Sequence, residues 1–302
     1  MNIKPMNVAF ICNPDHAANK YIAREVAGRH NLVAFVQPVR DNARNEDKIR
    51  RARERIRSQG LQYFLLQKAG QRLGWNESKE FAEAKQRLLP DIDEVVLARP
   101  IHRVSDINGP TGIALIKGLN VDAVICHGGP IYRDALIRSL PVMLNFHTGI
   151  SPLYNGASTI LFAFANGHPH LCGGTLMTMN PVVDGGDILA HFLPAIEEND
   201  TPASLFFKTT MGAAKIFSKA LSHIELTGGY TGLPQSPPLF YCRSADWTLY
   251  QSLRVSSLIK KGIPKRYLRP AEEIEYFSQP TPAAARQLFL SKILQLLELN
   301  HN

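Results

Sequence analysis

The chain is short of several things that would fix its class at once. Its four cysteines, Cys12, Cys126, Cys172 and Cys242, lie far apart among 302 residues. No pair shows Cys-x-x-Cys spacing, which argues against a zinc site or a disulfide framework and makes a reducing cytoplasm the expected setting. No unbroken apolar run approaches the roughly 20 residues of a membrane span. The apolar run after Lys4 is short and reads as a first strand, not a leader. Phosphate- and nucleotide-binding signatures are missing: no G-x-G-x-x-G after a strand and no G-x-x-x-x-G-K. H-E-x-x-H and G-x-S-x-G are absent too, so dinucleotide oxidoreductases, simple phosphotransferases and serine hydrolases lose ground. Asp, Glu, Lys and Arg vanish between Arg138 and Asp184, a stretch of 45 residues.

Charge is present elsewhere. The net is +8, from 34 Lys+Arg against 26 Asp+Glu. Residues 40–90 carry 13 basic and 7 acidic side chains, and residues 243–270 carry 7 basic ones and Asp246. These two segments hold the whole imbalance and flank the uncharged middle. A positive rim for a phosphorylated substrate or RNA fits that pattern; so do two solvated helical faces.

The order of elements predicts an α/β protein. Asn7–Cys12 and Asn31–Val36 read as buried strands with a helix over 17–28 between them, the opening of a parallel sheet. Residues 44–90 have helical composition and read as an insertion. Glu94–Ala98, Val121–Cys126, Val142–His147, Thr175–Met179 and Ile188–Phe192 are further strand candidates. Thr201-Pro202 starts a helix that runs to about Leu226, and Gly228-Gly229 marks a boundary. The expected organisation is a catalytic domain over 1–227 and a small, partly helical extension over 228–302. The fold expected is Rossmann-like, an open and mostly parallel sheet.

Residues two apart in a strand share a face, so Asn145 and His147 project together from the end of their strand. Ligands of open α/β sheets bind outside such carboxyl ends. Further on, Val182-Val183-Asp184-Gly185-Gly186 places a carboxylate in a glycine-rich turn. An amide donor, an imidazole and a carboxylate suit acyl transfer. Asn145 can donate to a developing oxyanion, His147 can move protons, and Asp184 can orient the ring. Read alone, the three also fit a turn cap, a satisfied core histidine and a turn carboxylate. His16, His127, His168 and His170 are loop histidines, of which His127 lies beside the turn Gly128-Gly129-Pro130-Ile131.

These motifs resemble the folate-dependent formyltransferases: Asn-x-His, a Leu-Pro-x-Tyr-x-Gly loop, and Asp-x-Gly about forty residues on. The chain reads Asn145-Phe-His147, then Ser151-Pro152-Leu-Tyr154-Asn-Gly156, then Asp184-Gly-Gly186. The resemblance covers most of 5–225, densely over 120–195. It implies 10-formyltetrahydrofolate as cosubstrate, a primary amine as acceptor and no metal. It implies catalysis by Asn145, His147 and Asp184, with the amine attacking directly. The pterin would lie against His127, Gly128, Gly129, Pro130, Ile131, Val182, Val183, Gly185 and Gly186. Thr148, Gly149, Tyr154 and Gly156 would form the loop beside the acceptor.

Departures bear on the acceptor. Gly149 stands where the family often has serine. The first turn, Asn13-Pro14-Asp15-His16, lacks a Gly/Ser-rich phosphate loop, which counts against glycinamide ribonucleotide. The expected acceptor is an amino-sugar nucleotide or a specialised-metabolite amine, with or without a phosphate. Methionyl-tRNA is the alternative that the pI favours, and an RNA-binding module on the same fold is a third. No membrane partner is expected, and homo-oligomerisation is left open.

Overall fold

A computed structural model describes residues 5–39, 49, 50, 53, 54, 56, 57, 60–62, 65 and 75–299. The first strand, β1 (Asn7–Ile11), is buried along nearly its whole length. It is apolar on both faces, as a central parallel strand must be when helices cover both sides. Helix α1 (Ala17–Ala27) turns Ala18, Tyr21, Ile22, Ala23 and Val26 inward, a stripe at helical spacing. It leads to β2 (Asn31–Pro38), parallel to β1. Helix α2 (Glu77–Leu88) is capped by Asn76, whose side chain accepts from Lys79 N at 3.1 Å. Glu77 and Glu80 sit in its first turn and Lys85 and Arg87 in its last, each against the matching end of the helix dipole. This helix is the end of the insertion expected over 44–90; much of the rest of that segment lies outside the described residues.

The chain continues through β3 (Ile101–Val104), α3 (Pro110–Gly118), β4 (Ala123–Cys126), α4 (Asp134–Ile137) and β5 (Met143–His147). Next come β6 (Tyr154–Gly156), α5 (Thr159–Ala165), β7 (Gly174–Thr178) and β8 (Ile188–Leu193). Helix α6 (Pro202–Thr227) begins at a capping box made by Thr201 and Ser204. After it come β9 (Phe240–Cys242), α7 (Leu249–Lys261), β10 (Glu272–Glu275) and α8 (Pro282–Glu298).

The main sheet has the order β10-β8-β7-β5-β4-β1-β2-β3. Strands β3, β2, β1, β4 and β5 are parallel, and β7, β8 and β10 add antiparallel pairings. This is the Rossmann-like sheet anticipated from sequence. Consecutive connections reverse direction between β1 and β4, and the carboxyl ends there leave a crevice. One face is covered by α1, α2 and α6, the other by α3 and α4. Side chains alternate accordingly: Ile125 and Phe146 join the first core, Cys126 and Met143 the second.

Two local expectations change. Residues 94–98 form no strand; Val95 and Leu97 pack on the core as irregular chain, and the edge strand is β3, a few residues later. The segment from 228 on does carry helices, α7 and α8, but β10 also pairs with β8 as a strand of the main sheet. Among the described residues, no helix is long and apolar enough to cross a membrane.

Candidate active site

Strand β5 runs between β4 and β7, with Asn145 opposite Cys126 on one side and Met177 on the other. Phe146 is committed to the core, so Asn145 and His147 both face away from α1 and α6. His147 is buried, and both ring nitrogens meet acceptors. Nε2 lies 3.1 Å from the Tyr154 carbonyl, and Nδ1 lies 3.4 Å from Asp184 Oδ1. Only the doubly protonated ring donates to both at once.

Asp184 comes from the loop between β7 and β8, at a positive φ of 51°. Its Oδ2 accepts from Gly156 N at 2.8 Å, and its carbonyl accepts from Asn155 Nδ2 at 3.1 Å. Gln235 ties the same loop down by donating to the Gly186 carbonyl. The carboxylate is thus held from two sides while one oxygen faces the imidazole. Gly149 folds beneath that ring; a side chain there would run into His147 Nε2, the Tyr154 carbonyl and Thr159. This local crowding is a physical reason for glycine at 149.

A cavity of about 1020 Å³ opens over the carboxyl ends of β1, β4 and β5. Asn145, His147 and Asp184 line it together. One wall is the pair of turns Gly128–Ile131 and Val182–Gly186, where Ile131 and Val182 leave apolar surface exposed, at 65% and 67%. Across the sheet edge lie Asn13, His16, Asn19 and His127. His127 Nδ1 sits 2.7 Å from Asn19 Oδ1. Burial, and then the neighbouring His16 and His147, push the His127 pKa down to about 3. The third wall, Tyr241–Ser244, begins within β9, which pairs with β6. Arg243 is the one Lys or Arg on the described wall, and its guanidinium is bidentate on Asp246 at 2.8 Å.

The structure brings together most of the residues singled out from sequence. Asn145, His147, Thr148, Gly156, Asp184, His127, Gly128, Gly129, Pro130, Ile131, Val182, Val183, Gly185 and Gly186 all line the cavity. Tyr154 and Gly149 do not. Tyr154 is fully buried, stacked on Phe240 with ring centroids 4.7 Å apart, and its hydroxyl meets His168 Nδ1 at 2.8 Å. Its place in the site is its carbonyl. Sequence reasoning missed Asn19, Asn155, Gln235 and Tyr241–Ser244. Asn19 alone had a signal: a polar side chain on the apolar stripe of α1. Among the described residues, no group of three His, Cys, Asp or Glu side chains is placed to hold a metal ion.

An open α/β sheet with a cavity across its switch point defines a Rossmann-like ligand-binding domain. The Formyl transferase family model matches residues 6–221, and the chain belongs to that family. Methionyl-tRNA formyltransferase from Caulobacter vibrioides is 27% identical over 223 residues, 73% of this chain and 60% of that protein. The Streptococcus uberis enzyme of the same name is 26% identical over 140 residues, 45% of each chain. The match thus spans about half the length of these curated relatives. A sugar N-formyltransferase from Shewanella sp. shares the fold, with a TM-score of 0.51 at 14% identity, covering 83% of this chain and 86% of that one. Glycinamide ribonucleotide transformylase 1 from Symbiobacterium toebii does so with a TM-score of 0.50 at 14% identity, covering 77% and 95%.

Proposed function

We propose that the protein transfers a formyl group from 10-formyltetrahydrofolate to the primary amine of a small acceptor, an amino-sugar nucleotide or a specialised-metabolite amine. The convergence of Asn145, His147 and Asp184 on one cavity carries this reading. The cavity suits the cosubstrate: Ile131, Val182 and Val183 offer apolar surface to a flat ring, and the turns beside them offer backbone polar groups. When bound, it supplies a formyl carbon that passes from the donor nitrogen to the amine while one amine proton passes the other way.

The chain's own residues have distinct tasks. The Asn145 amide, which makes no hydrogen bond to the described side chains, donates to the formyl oxygen. His147 holds and returns a proton at the cavity floor. Asp184 keeps that ring in place, and Gly156 N keeps Asp184 in place.

Methionyl-tRNA is the second reading for the acceptor, favoured by the curated relatives. A phosphate on a small acceptor would find Arg243 on the described wall, already paired with Asp246. Neutral amines therefore belong in the test beside charged ones. The decisive experiment incubates the protein with 10-formyltetrahydrofolate and a panel: an amino-sugar nucleotide, glucosamine, ethanolamine, methionine and Met-tRNA. Tetrahydrofolate release with one small amine supports the proposal. Release with Met-tRNA alone moves the acceptor, and inactivity with steeply salt-dependent RNA binding replaces the enzyme by a binding module.

A further inference from the structure

The cavity holds a second imidazole that the scheme above leaves unused. His127 follows β4 and points to the α1–α6 side of the sheet, with Phe146 and Phe206 beside its ring. Asn145 and His147 lie on the other side, together with the Gly128–Ile131 and Val182–Gly186 wall. The two imidazoles therefore flank the sheet edge over which the cavity lies.

The tautomer of His127 is fixed by its neighbours. Asn19 Nδ2 donates to the Asn13 carbonyl at 2.9 Å, which orients the amide and leaves Oδ1 for His127 at 2.7 Å. An amide oxygen only accepts, so Nδ1 carries the proton. Nε2 is then a bare lone pair. It has no partner among the described residues, and His127 lines the cavity. Burial keeps the ring neutral. The other polar groups on this side of the cavity are Cys12, Asn13, His16 and Asn19; burial lowers the pKa of His16 and raises that of the Cys12 thiol, which keeps both neutral. Together they form a neutral, polar subsite whose fixed acceptor is Nε2.

We infer that His127 binds the amine acceptor, its Nε2 lone pair taking a hydrogen bond from the amine N–H, with Asn19 as the positioning residue that sets the tautomer. This deepens the formyl-transfer reading and rests on it. A neutral acceptor at that place selects the unprotonated amine by geometry. With one N–H held by His127, the amine lone pair is turned toward the side where Asn145 and His147 stand. An imidazolium there would instead compete for that lone pair. Rings with N–H groups, the pterin included, are the rival occupants of Nε2; the sequence placed His127 with the pterin, but the other residues expected there, Gly128–Ile131 and Val182–Gly186, lie on the opposite side of the sheet edge from its ring.

The test has two readouts. In steady-state assays, His127→Phe raises the KM for the amine about tenfold and leaves the KM for 10-formyltetrahydrofolate within about twofold; His127→Gln, which keeps an acceptor, recovers part of the loss. A rise in the folate KM instead assigns the ring to the cosubstrate and overturns the proposal. Independently, ¹⁵N-histidine NMR of the wild-type protein near neutral pH, assigned with His127→Gln, shows Nδ1 protonated and Nε2 bare. Adding a turned-over amine shifts the Nε2 resonance. A protonated Nε2, or one blind to every amine of the panel, overturns the proposal. If no amine is formylated the transfer reading fails, while the NMR titration still decides whether His127 binds amines.

Discussion

Asp184 Oδ2 accepts a 2.8 Å hydrogen bond from the backbone N–H of Gly156, so the carboxylate facing His147 is fastened to the loop that follows the histidine. Asp184→Asn keeps an oxygen for Gly156, and Asn tolerates a positive φ. It is expected to melt with the parent protein and lose about 10²–10⁴ in kcat. Asp184→Ala strands the Gly156 amide as well and should cost about 1–3 kcal/mol of stability. Thermal melts beside turnover assays separate the two effects; an active Asp184→Asn protein would sink the assignment.

Asn145 is half-buried on β5, and its side chain packs into no core cluster. Asn145→Ala should therefore fold normally, with kcat reduced about 10²–10³-fold and little change in folate KM, the pattern of a donor used on developing charge. His147→Ala should lose at least as much activity. Its ring also caps the Tyr154 carbonyl, so a lower melting temperature is expected too.

Gly156 tests the loop mechanically. It has φ +99°, and a Cβ there would collide with the carbonyl of Cys242 on β9. Gly156→Ala should part β6 from β9 and pull the Asp184 clamp with them. Activity and melting temperature should fall together, unlike the behaviour expected of Asp184→Asn.

Buried neutral histidines set an acid limit. His191 is fully enclosed between Tyr276 Oη at 3.0 Å and the Ser151 carbonyl at 2.9 Å, and burial takes its pKa from 6.5 to about 4. His127 falls further, to about 3. Below pH 6.5 the unfolded chain binds protons that the folded chain refuses, so stability falls as pH drops through the window from about 6.5 to about 4. Each such proton contributes a slope of up to about 1.4 kcal/mol per pH unit. Urea midpoints measured from about pH 7.5 down to about pH 5 should decline, and less steeply in His127→Gln. A flat profile would contradict the neutral state of these rings.

Ending the chain after Pro270 removes β10 and α8. That uncovers β8, buried along its whole length, and deletes Tyr276 and Phe277 from the cores. The truncated chain is expected to aggregate on expression; a soluble, cooperatively melting product would refute a structural role for this segment.

Much of this was legible because parallel strands buried on both faces write themselves as apolar runs: residues 8–11 and Ala123–Cys126 needed no partner to be recognised. The pairing of Asn145 with His147 follows from the two-residue strand period, and the Asp184 turn stood out in a stretch almost free of charge. Val95, Val96 and Leu97 misled because a short apolar run packs equally well as irregular chain, whereas β3, with His102 and Arg103 on a sheet edge, looks polar. Glu272–Glu275 gave no strand signal for the same reason. The subsite around Asn19 and His127 is non-local: it joins residues 108 positions apart, and nothing in either neighbourhood names the other.

The acidic strand has a consequence for the protein's life in a crowded solution. A sheet that stops at a bare edge offers its unpaired backbone to any extended chain that drifts past. Here the last strand is Glu-Glu-Ile-Glu, with Lys219 2.6 Å from Glu273 and 2.7 Å from Glu275, and Lys292 2.5 Å from Glu272. A second copy adding its own β10 would have to lay one row of ion pairs against another, and the charged side chains would lose water or partners in doing so. This edge is guarded by charge held in place, and an extended chain gains little by joining it.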